Sequence, residues 1–392
     1  MKRWLRRLYV IMVISCQWRQ LFKLLLPIGL LVFFCEFLIY YVVLLQCSWP
    51  ELQLGNVDVM MPKGSAKPLR ILFLADTHLL GFRRGHWFDK LRREWQMERS
   101  FQSTMLLHNP DTVFLLGDVL DEGKWCDDDE FKYHVERFGR MFRHGEQTTL
   151  HVVAGNHDIG FHYDTTRHKY KRFKESFSAP SVRMLDIEGN LFILVNSMAF
   201  ENDGCFLCKD AQEKLLAIHK RLNCAKIHST EGECSRFKPM QYTRPILLQH
   251  FPLYRPSDYN CTGLDAPPPS EKSIPFKPKW DCLSKDATKK LLTMLDPRIV
   301  MSGHTHHGCF STHRVNNHII PEWTIASYSW RNKIQPAFLL ATVTSDNFEV
   351  TKCFLPREDT VIWTYLIGMI LIFSWFVLPK LGLLFKKPQK SH

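Results

Sequence analysis

The chain has 392 residues, with 51 Lys and Arg against 39 Asp and Glu for a net charge of +12. Its 45% hydrophobic and 13% aromatic content can build a core, which excludes disorder over most of its length. The basic excess sits at the ends: Lys2, Arg3, Arg6, Arg7, Arg19 and Lys23 in residues 1–23, and Lys380, Lys386, Lys387 and Lys390 in residues 379–392, while residues 46–360 carry only +3. A nucleic-acid-binding domain is usually basic across its own surface, so no nucleic-acid partner is expected.

From the start, residues 1–23 read as a basic cytoplasmic tail and residues 24–45 as a transmembrane helix of 22 residues with Glu36 as its only charge. That length exceeds a signal-peptide core of about 7–15 residues and suits a bilayer core about 30 Å thick. Glu36 is expected as a protonated carboxyl near a neighbouring helix. Residues 46–69 form a linker. Residues 70–354 form one domain, 355–360 a second linker, 361–378 an uncharged span of 18 residues, and 379–392 a second basic tail. The positive-inside rule puts both tails in the cytoplasm and the domain on the luminal side, with Trp49 and Trp363 at that face of the membrane.

Within the domain, short apolar runs at 70–75, 112–117, 149–155, 191–196, 246–250 and 299–303 read as strands buried on both faces. Trp87, Leu91, Trp95, Phe101 and Met105 recur at helical spacing, and further helices fit 130–142, 170–177, 211–222 and 285–295. Strand alternating with helix implies an α/β domain with a mostly parallel central sheet. Later runs at 323–326, 338–343 and 348–354 could form a second sheet. Residues 255–280 hold six prolines and read as an irregular insert. It could be a lid over the site or a glycosylated surface loop.

Ten cysteines lie between the spans: Cys47, Cys126, Cys205, Cys208, Cys224, Cys234, Cys261, Cys282, Cys309 and Cys353. In an oxidising compartment an even number favours disulfides, although Cys205, Cys208, Cys224 and Cys234 could instead hold zinc. Asn260-Cys261-Thr262 is an N-glycosylation sequon, which agrees with a luminal loop.

The residues that end the strands carry the chemistry: Asp76 and His78; Asp118 and Asp121; Asn156, His157 and Asp158; His250; His304 and His306. Ligands of open α/β sheets bind at the carboxyl ends of strands, so these loops should converge on one crevice. Asp76-Thr77-His78 has period two, which in an extended strand end points both side chains one way. Carboxylates favour manganese, and imidazole also accommodates iron or zinc. His86, His134, His162, His168, His307 and His313 fall outside these groups and read as solvated loop histidines, with His162 and His307 close enough in sequence to touch substrate.

Asp-x-His at 76–78, Gly-Asp-x-x-Asp at 117–121, Gly-Asn-His-Asp at 155–158, His250 and Gly-His-x-His at 303–306 resemble the calcineurin-like metallophosphoesterases. The resemblance implies a sandwich of two mixed sheets flanked by helices. It assigns Asp76, His78, Asp118 and His306 to one divalent metal and Asp118, Asn156, His250 and His304 to a second, with Asp118 shared. His157 is then the catalytic non-ligand histidine, which stabilises phosphoryl oxygens or protonates the leaving alkoxide. Asp121 and Asp158 are expected to orient histidines and loops.

The stretches at 34–41 (FCEFLIYY), 75–81 (ADTHLLG), 85–99 (GHWFDKLRREWQMER), 121–125 (DEGKW), 152–163 (VVAGNHDIGFHY) and 355–359 (LPRED) are similar to the GPI-anchor-remodelling members of that group. This likeness implies two manganese ions and removal of the ethanolamine-phosphate side branch from the second mannose of the GPI glycan. It also implies GPI-anchored proteins as substrates, cargo receptors as partners, and residence at ER exit sites, the ER–Golgi intermediate compartment and Golgi. The dilysine-type retrieval signal expected of such proteins is altered here, so residence could rest on the spans themselves. The rival readings are a membrane-bound phosphomonoesterase acting on protein or nucleotide phosphate, and a non-catalytic scaffold.

Overall fold

A computed structural model describes residues 2–52, 67–201, 204–315 and 317–384. Most of the expected linker (53–66) and residues 385–392 of the second tail lie outside the described residues. The chain divides into two units, one made of residues 1–43 and 356–392 and the other of residues 44–355.

In the smaller unit, a helix Lys2–Phe33 continues through a π-turn, Phe34–Leu38, into Ile39–Leu44, and the second helix is Glu358–Leu384. Trp18–Leu44 and Glu358–Leu378 are long and apolar enough to cross a membrane, each with a mean hydropathy of 2.2. The Tyr365 hydroxyl donates to Glu36 Oε1 at 2.6 Å, which gives the carboxyl the neighbouring-helix partner the sequence calls for.

The larger unit is built on strands whose two faces are both apolar. β1 (Leu69–Leu74), β2 (Thr112–Leu116) and β3 (Thr149–Val153) run parallel, and β10 (Ala337–Val343) and β11 (Phe348–Phe354) extend them antiparallel in the order β11-β10-β1-β2-β3. The second sheet has the order β4-β5-β6-β7-β9-β8. Its parallel centre is β5 (Asn190–Val195), β6 (Ile246–Gln249), β7 (Ile299–Ser302) and β9 (His318–Thr324). β4 (Val182–Ile187) and β8 (Cys309–Val315) are its antiparallel edges.

Period-two alternation sends Ile71 and Phe73 of β1 and Phe114 of β2 toward Phe192, Leu194, Ile246 and Leu248 of the second sheet. Phe114 and Phe192 meet at 5.0 Å between ring centroids, and each fully buried ring contributes about 2–3 kcal/mol. Leu72 and Leu74 face the other way, into a core shared with the helices.

This is the sandwich of two mixed sheets that the family resemblance implies, and what it refines is the reading from strand–helix alternation, a mostly parallel central sheet with the late runs as a possible second one. The six early runs divide three and three, and the late runs join both sheets: 323–326 overlaps the end of β9, while 338–343 and 348–354 complete the first sheet. Two sheets facing each other bury the inner face of every run, which one open sheet leaves to helices alone. The helix Trp87–His108 turns inward only the later part of the stripe that its large residues mark, Phe101 and Met105, together with small and polar neighbours. Trp87 and Leu91 are exposed, whereas Gln96, Met97, Ser100, Phe101 and Thr104 are buried. Gln96 is stable there because its amide donates to the Tyr328 carbonyl at 3.1 Å and accepts from Trp330 N at 3.2 Å.

Within the larger unit, Trp49 donates its indole N–H to the His108 carbonyl at 3.0 Å. Eight of the ten cysteines pair, as Cys47–Cys353, Cys205–Cys208, Cys224–Cys234 and Cys261–Cys309, so the cysteines considered for zinc are disulfides. Cys126 and Cys282 are free and buried.

Candidate active site

The loops after β1, β2, β3, β6 and β7 bring all seven ligand-type residues and His157 to one place. Asp76, His78, Asp118, His304 and His306 each have positive φ, between 44° and 75°. This corrects the expectation of an extended Asp76–His78 segment: these side chains converge because the backbone turns left-handed, a conformation that costs non-glycine residues about 1–3 kcal/mol and clusters at functional sites. Thr77, between them, is held by donating its hydroxyl to the Val119 carbonyl at 3.0 Å.

Two groups of donor atoms share one carboxylate. In the first, the Nε2 atoms of His78 and His306 face each other at 2.9 Å, and Asp76 Oδ1 lies 3.7 Å from both. Asp118 Oδ2 is 3.5 Å from His78 Nε2. In the second, the same Asp118 Oδ2 is 3.3 Å from His250 Nε2, which is also 3.2 Å from Asn156 Oδ1. His304 completes a set with Asp118 and His250 whose ligand atoms lie within 4.8 Å of one another.

Three of the four ligand-type histidines have a held outer ring nitrogen. His78 Nδ1 donates to Asp121 Oδ1 at 3.0 Å, His250 Nδ1 to the Leu116 carbonyl at 2.7 Å, and His304 Nε2 to the Trp280 carbonyl at 2.5 Å. That fixes the tautomers with the other nitrogen aimed inward. Asp76 Oδ1 and His304 Nδ1 are buried and make no hydrogen bond. Paired imidazoles nose to nose beside an orphaned carboxylate oxygen fit divalent cations and little else.

Electrostatics agree. Burial disfavours a charged His78 or His250, but Asp121, Asp76 and Asp118 outweigh it for His78, and Asp118 and Asp76 for His250. The imidazoles rise to about 10 and about 9 in the metal-free chain. Burial alone would raise the Asp118 carboxyl, yet His250, His157 and His78 hold it well below the ordinary range. His304 falls to about 3, through burial and the neighbouring His250 charge.

His157 sits at the open side, its side chain 23% exposed. Its backbone N–H donates to Asp118 Oδ1 at 2.7 Å and its Nδ1 to the Asp121 carbonyl at 2.9 Å, so Nε2 is the atom presented to a substrate. Asp158 accepts from Leu120 N at 2.9 Å and Gly155 N at 2.8 Å, which ties the third loop to the second. A Cβ at Gly155 would stand 2.2 Å from Asp118 Oδ1 and 2.3 Å from its backbone nitrogen, so only glycine lets these loops touch.

Three partners carry no signal in the sequence. Arg331 binds Asp121 through both Nη2 (2.9 Å) and Nε (3.3 Å), Ser327 Oγ donates to the Asp76 carbonyl at 2.7 Å, and the Trp280 carbonyl holds His304. None lies in a motif, and only the folded chain brings them near. Of the histidines outside the motifs, His134 and His307 are buried, contrary to the solvated expectation. His307 is paired with Glu271 at 3.2 Å, and His134 is enclosed beside Phe82 and Tyr133.

Comparison with known proteins fits this geometry. A family model described as calcineurin-like phosphoesterase matches residues 69–308. The chain belongs to that family. Among its curated relatives, the Metallophosphoesterase 1 of Gallus gallus is 48% identical, with 88% of this chain and 86% of that protein covered. The proteins of that name from Xenopus laevis and Macaca fascicularis are each 46% identical, covering 88% and 93% of this chain and 85% and 90% of theirs. As a calcineurin-like phosphoesterase with this donor set, the chain is a metal-dependent phosphoesterase that uses divalent cations.

Proposed function

We propose that the chain is a two-metal phosphodiesterase that removes the ethanolamine-phosphate side branch from the second mannose of the GPI glycan, with manganese in both sites. Sharing of Asp118 Oδ2 between His78 and His250 is the observation that carries the two-metal reading. Asp76, His78, Asp118 and His306 would hold one cation, and Asp118, Asn156, His250 and His304 the other. When bound, the cations supply Lewis acidity toward the phosphate and lower the pKa of an attacking water. The protein contributes the rest. His157, carrying a second proton on Nε2 as an imidazolium while Nδ1–H stays on the Asp121 carbonyl, stabilises the phosphoryl oxygens or gives that Nε2 proton to the leaving alkoxide, and Asp121, held by Arg331, keeps His78 turned inward.

The glycolipid substrate is supported by the likeness of residues 34–41 and 85–99 to the GPI-anchor-remodelling members and by the apolar helices at both ends. A domain tethered twice to the luminal leaflet gains effective concentration only for substrates confined to that surface. In this reading GPI-anchored proteins are the substrates, cargo receptors the downstream partners, and the early secretory pathway the location. Asn260, exposed at its sequon, would be glycosylated. The test is mass spectrometry of GPI glycans from cells lacking the protein. An extra ethanolamine phosphate should persist, and disappear on re-expression of the intact chain but not of Asp118→Ala. A glycan profile identical to that of normal cells would remove the GPI assignment.

A further inference from the structure

An aromatic cluster borders the metal-type residues. Phe161 and Tyr163 follow the helix Asn156–Ile159 that carries Asn156 and His157, and Trp280 lies at the end of the proline-rich insert after His250. Ring centroids are 5.0 Å apart for Phe161–Trp280, 5.7 Å for Phe161–Tyr163 and 5.8 Å for Tyr163–Trp280. Two links tie the cluster to the site. The Trp280 carbonyl accepts from His304, and Phe251, stacked on the His304 ring at 4.0 Å, lies 6.0 Å from Phe161. Although they touch each other, Tyr163 remains 60% and Trp280 50% exposed. Exposed aromatic pairs occur elsewhere on this chain, Phe82 with Tyr133 among them, but this one stands beside the residues that converge on the metal positions, where an uncovered ring face can meet a bound ligand.

We propose that Trp280 and Tyr163 form a stacking platform for the sugar ring that bears the scissile phosphodiester. The inference rests on the phosphodiesterase reading and names which part of the substrate the protein reads. A pyranose offers a face of C–H groups and a rim of hydroxyls. An exposed aromatic ring covers the first and leaves the second in water. Because both segments spring from ligand-bearing loops, the sugar is held on the alcohol side of the ester, next to His304 and His157. A nucleobase would stack by the same chemistry, so the test separates the two.

Full-length protein in detergent, loaded with manganese, would be assayed on three ethanolamine-phosphate diesters: of methyl mannoside, of glycerol and of a nucleoside. Trp280→Ala and Tyr163→Ala should each lower the ratio of kcat/KM for the mannoside over the glycerol ester about tenfold, mainly through KM, and Trp280→Phe should restore most of it. A second readout needs no turnover. Saturation-transfer NMR should detect the mannoside ester on the chelated wild type and lose it in both alanine variants. If the wild type hydrolyses both esters and neither alanine variant changes the ratio or the NMR signal, the platform is refuted while the phosphodiesterase reading stands. A drop confined to the nucleoside ester overturns the sugar assignment. Failure of the loaded wild type on all three esters overturns the phosphodiesterase reading itself, and the NMR arm then decides the platform alone.

Discussion

Asp118 has more to lose than any other residue of the site. One of its oxygens faces His78 and His250 together, and the other accepts the His157 backbone N–H. Asp118→Ala should therefore empty both metal positions, seen as loss of bound metal by elemental analysis and of all measurable activity. His157→Ala should keep its metal and lose roughly 10²–10⁴-fold in kcat, the usual worth of a positioned acid or base. Asp121 acts one step away. Asp121→Asn weakens the hold on His78 Nδ1 and on Arg331, and should cost about 10–100-fold in metal affinity, measured by competition with a chelating dye. Should His157→Ala prove as dead and as metal-free as Asp118→Ala, the division of roles drawn here would be wrong.

Elements carry their own tests. The loops after β2 and β3 meet at Gly155 with no room for a Cβ, and both sides of that contact are backbone or a metal-facing carboxylate. Gly155→Ala should thus lose metal binding even though it adds only one methyl group, whereas Gly145→Ala, whose Cβ would meet nothing, should be silent. On the helix Asp128–Met141, burial above all, then Arg137, Lys90 and Arg83, depresses the His134 imidazole to about 4 from 6.5. A depressed histidine stabilises the fold above its unfolded value and stops doing so as pH falls, since the unfolded chain takes the proton first. Thermal stability should decline between pH 6.5 and about 4, and His134→Gln should flatten that decline. A melting profile with the same acid slope in both proteins would show that His134 is not its source.

At the scale of the whole molecule, metal and protons compete for the same pocket. Without metal, His78 and His250 rise from 6.5 to about 10 and about 9, so they carry protons that offset the buried carboxylates. Raised values mean that this help is complete below pH 6.5 and is lost as pH climbs through the folded values. The chelated protein should melt at progressively lower temperature from pH 7 to 9, the metal-loaded protein much less, and loading near pH 7.5 should release about two protons, read by calorimetry in two buffers. Equal melting of the two forms at every pH would mean that cations do not bind where these side chains converge.

The ligand types and their place in the chain are written in the sequence, because each follows an apolar run too short for a helix and rich in Val, Ile, Leu and Phe, which reads as an interior strand with its polar residue at the mouth. Helix 285–295 and the strands at 70–75 and 112–117 are likewise local facts, set by burial pattern and, for the helix, by the Ser284 cap. Local pattern does not say which strand pairs with which. β4 and β8, edge strands with half-exposed faces, left too little hydrophobic signal to read, and the late runs went to both sheets. Nor could spacing reveal Arg331 beside Asp121, the Trp280 carbonyl on His304, or a buried His134. Those contacts join residues tens to hundreds of positions apart. They form only when two sheets close on each other and every polar group left inside must find a partner.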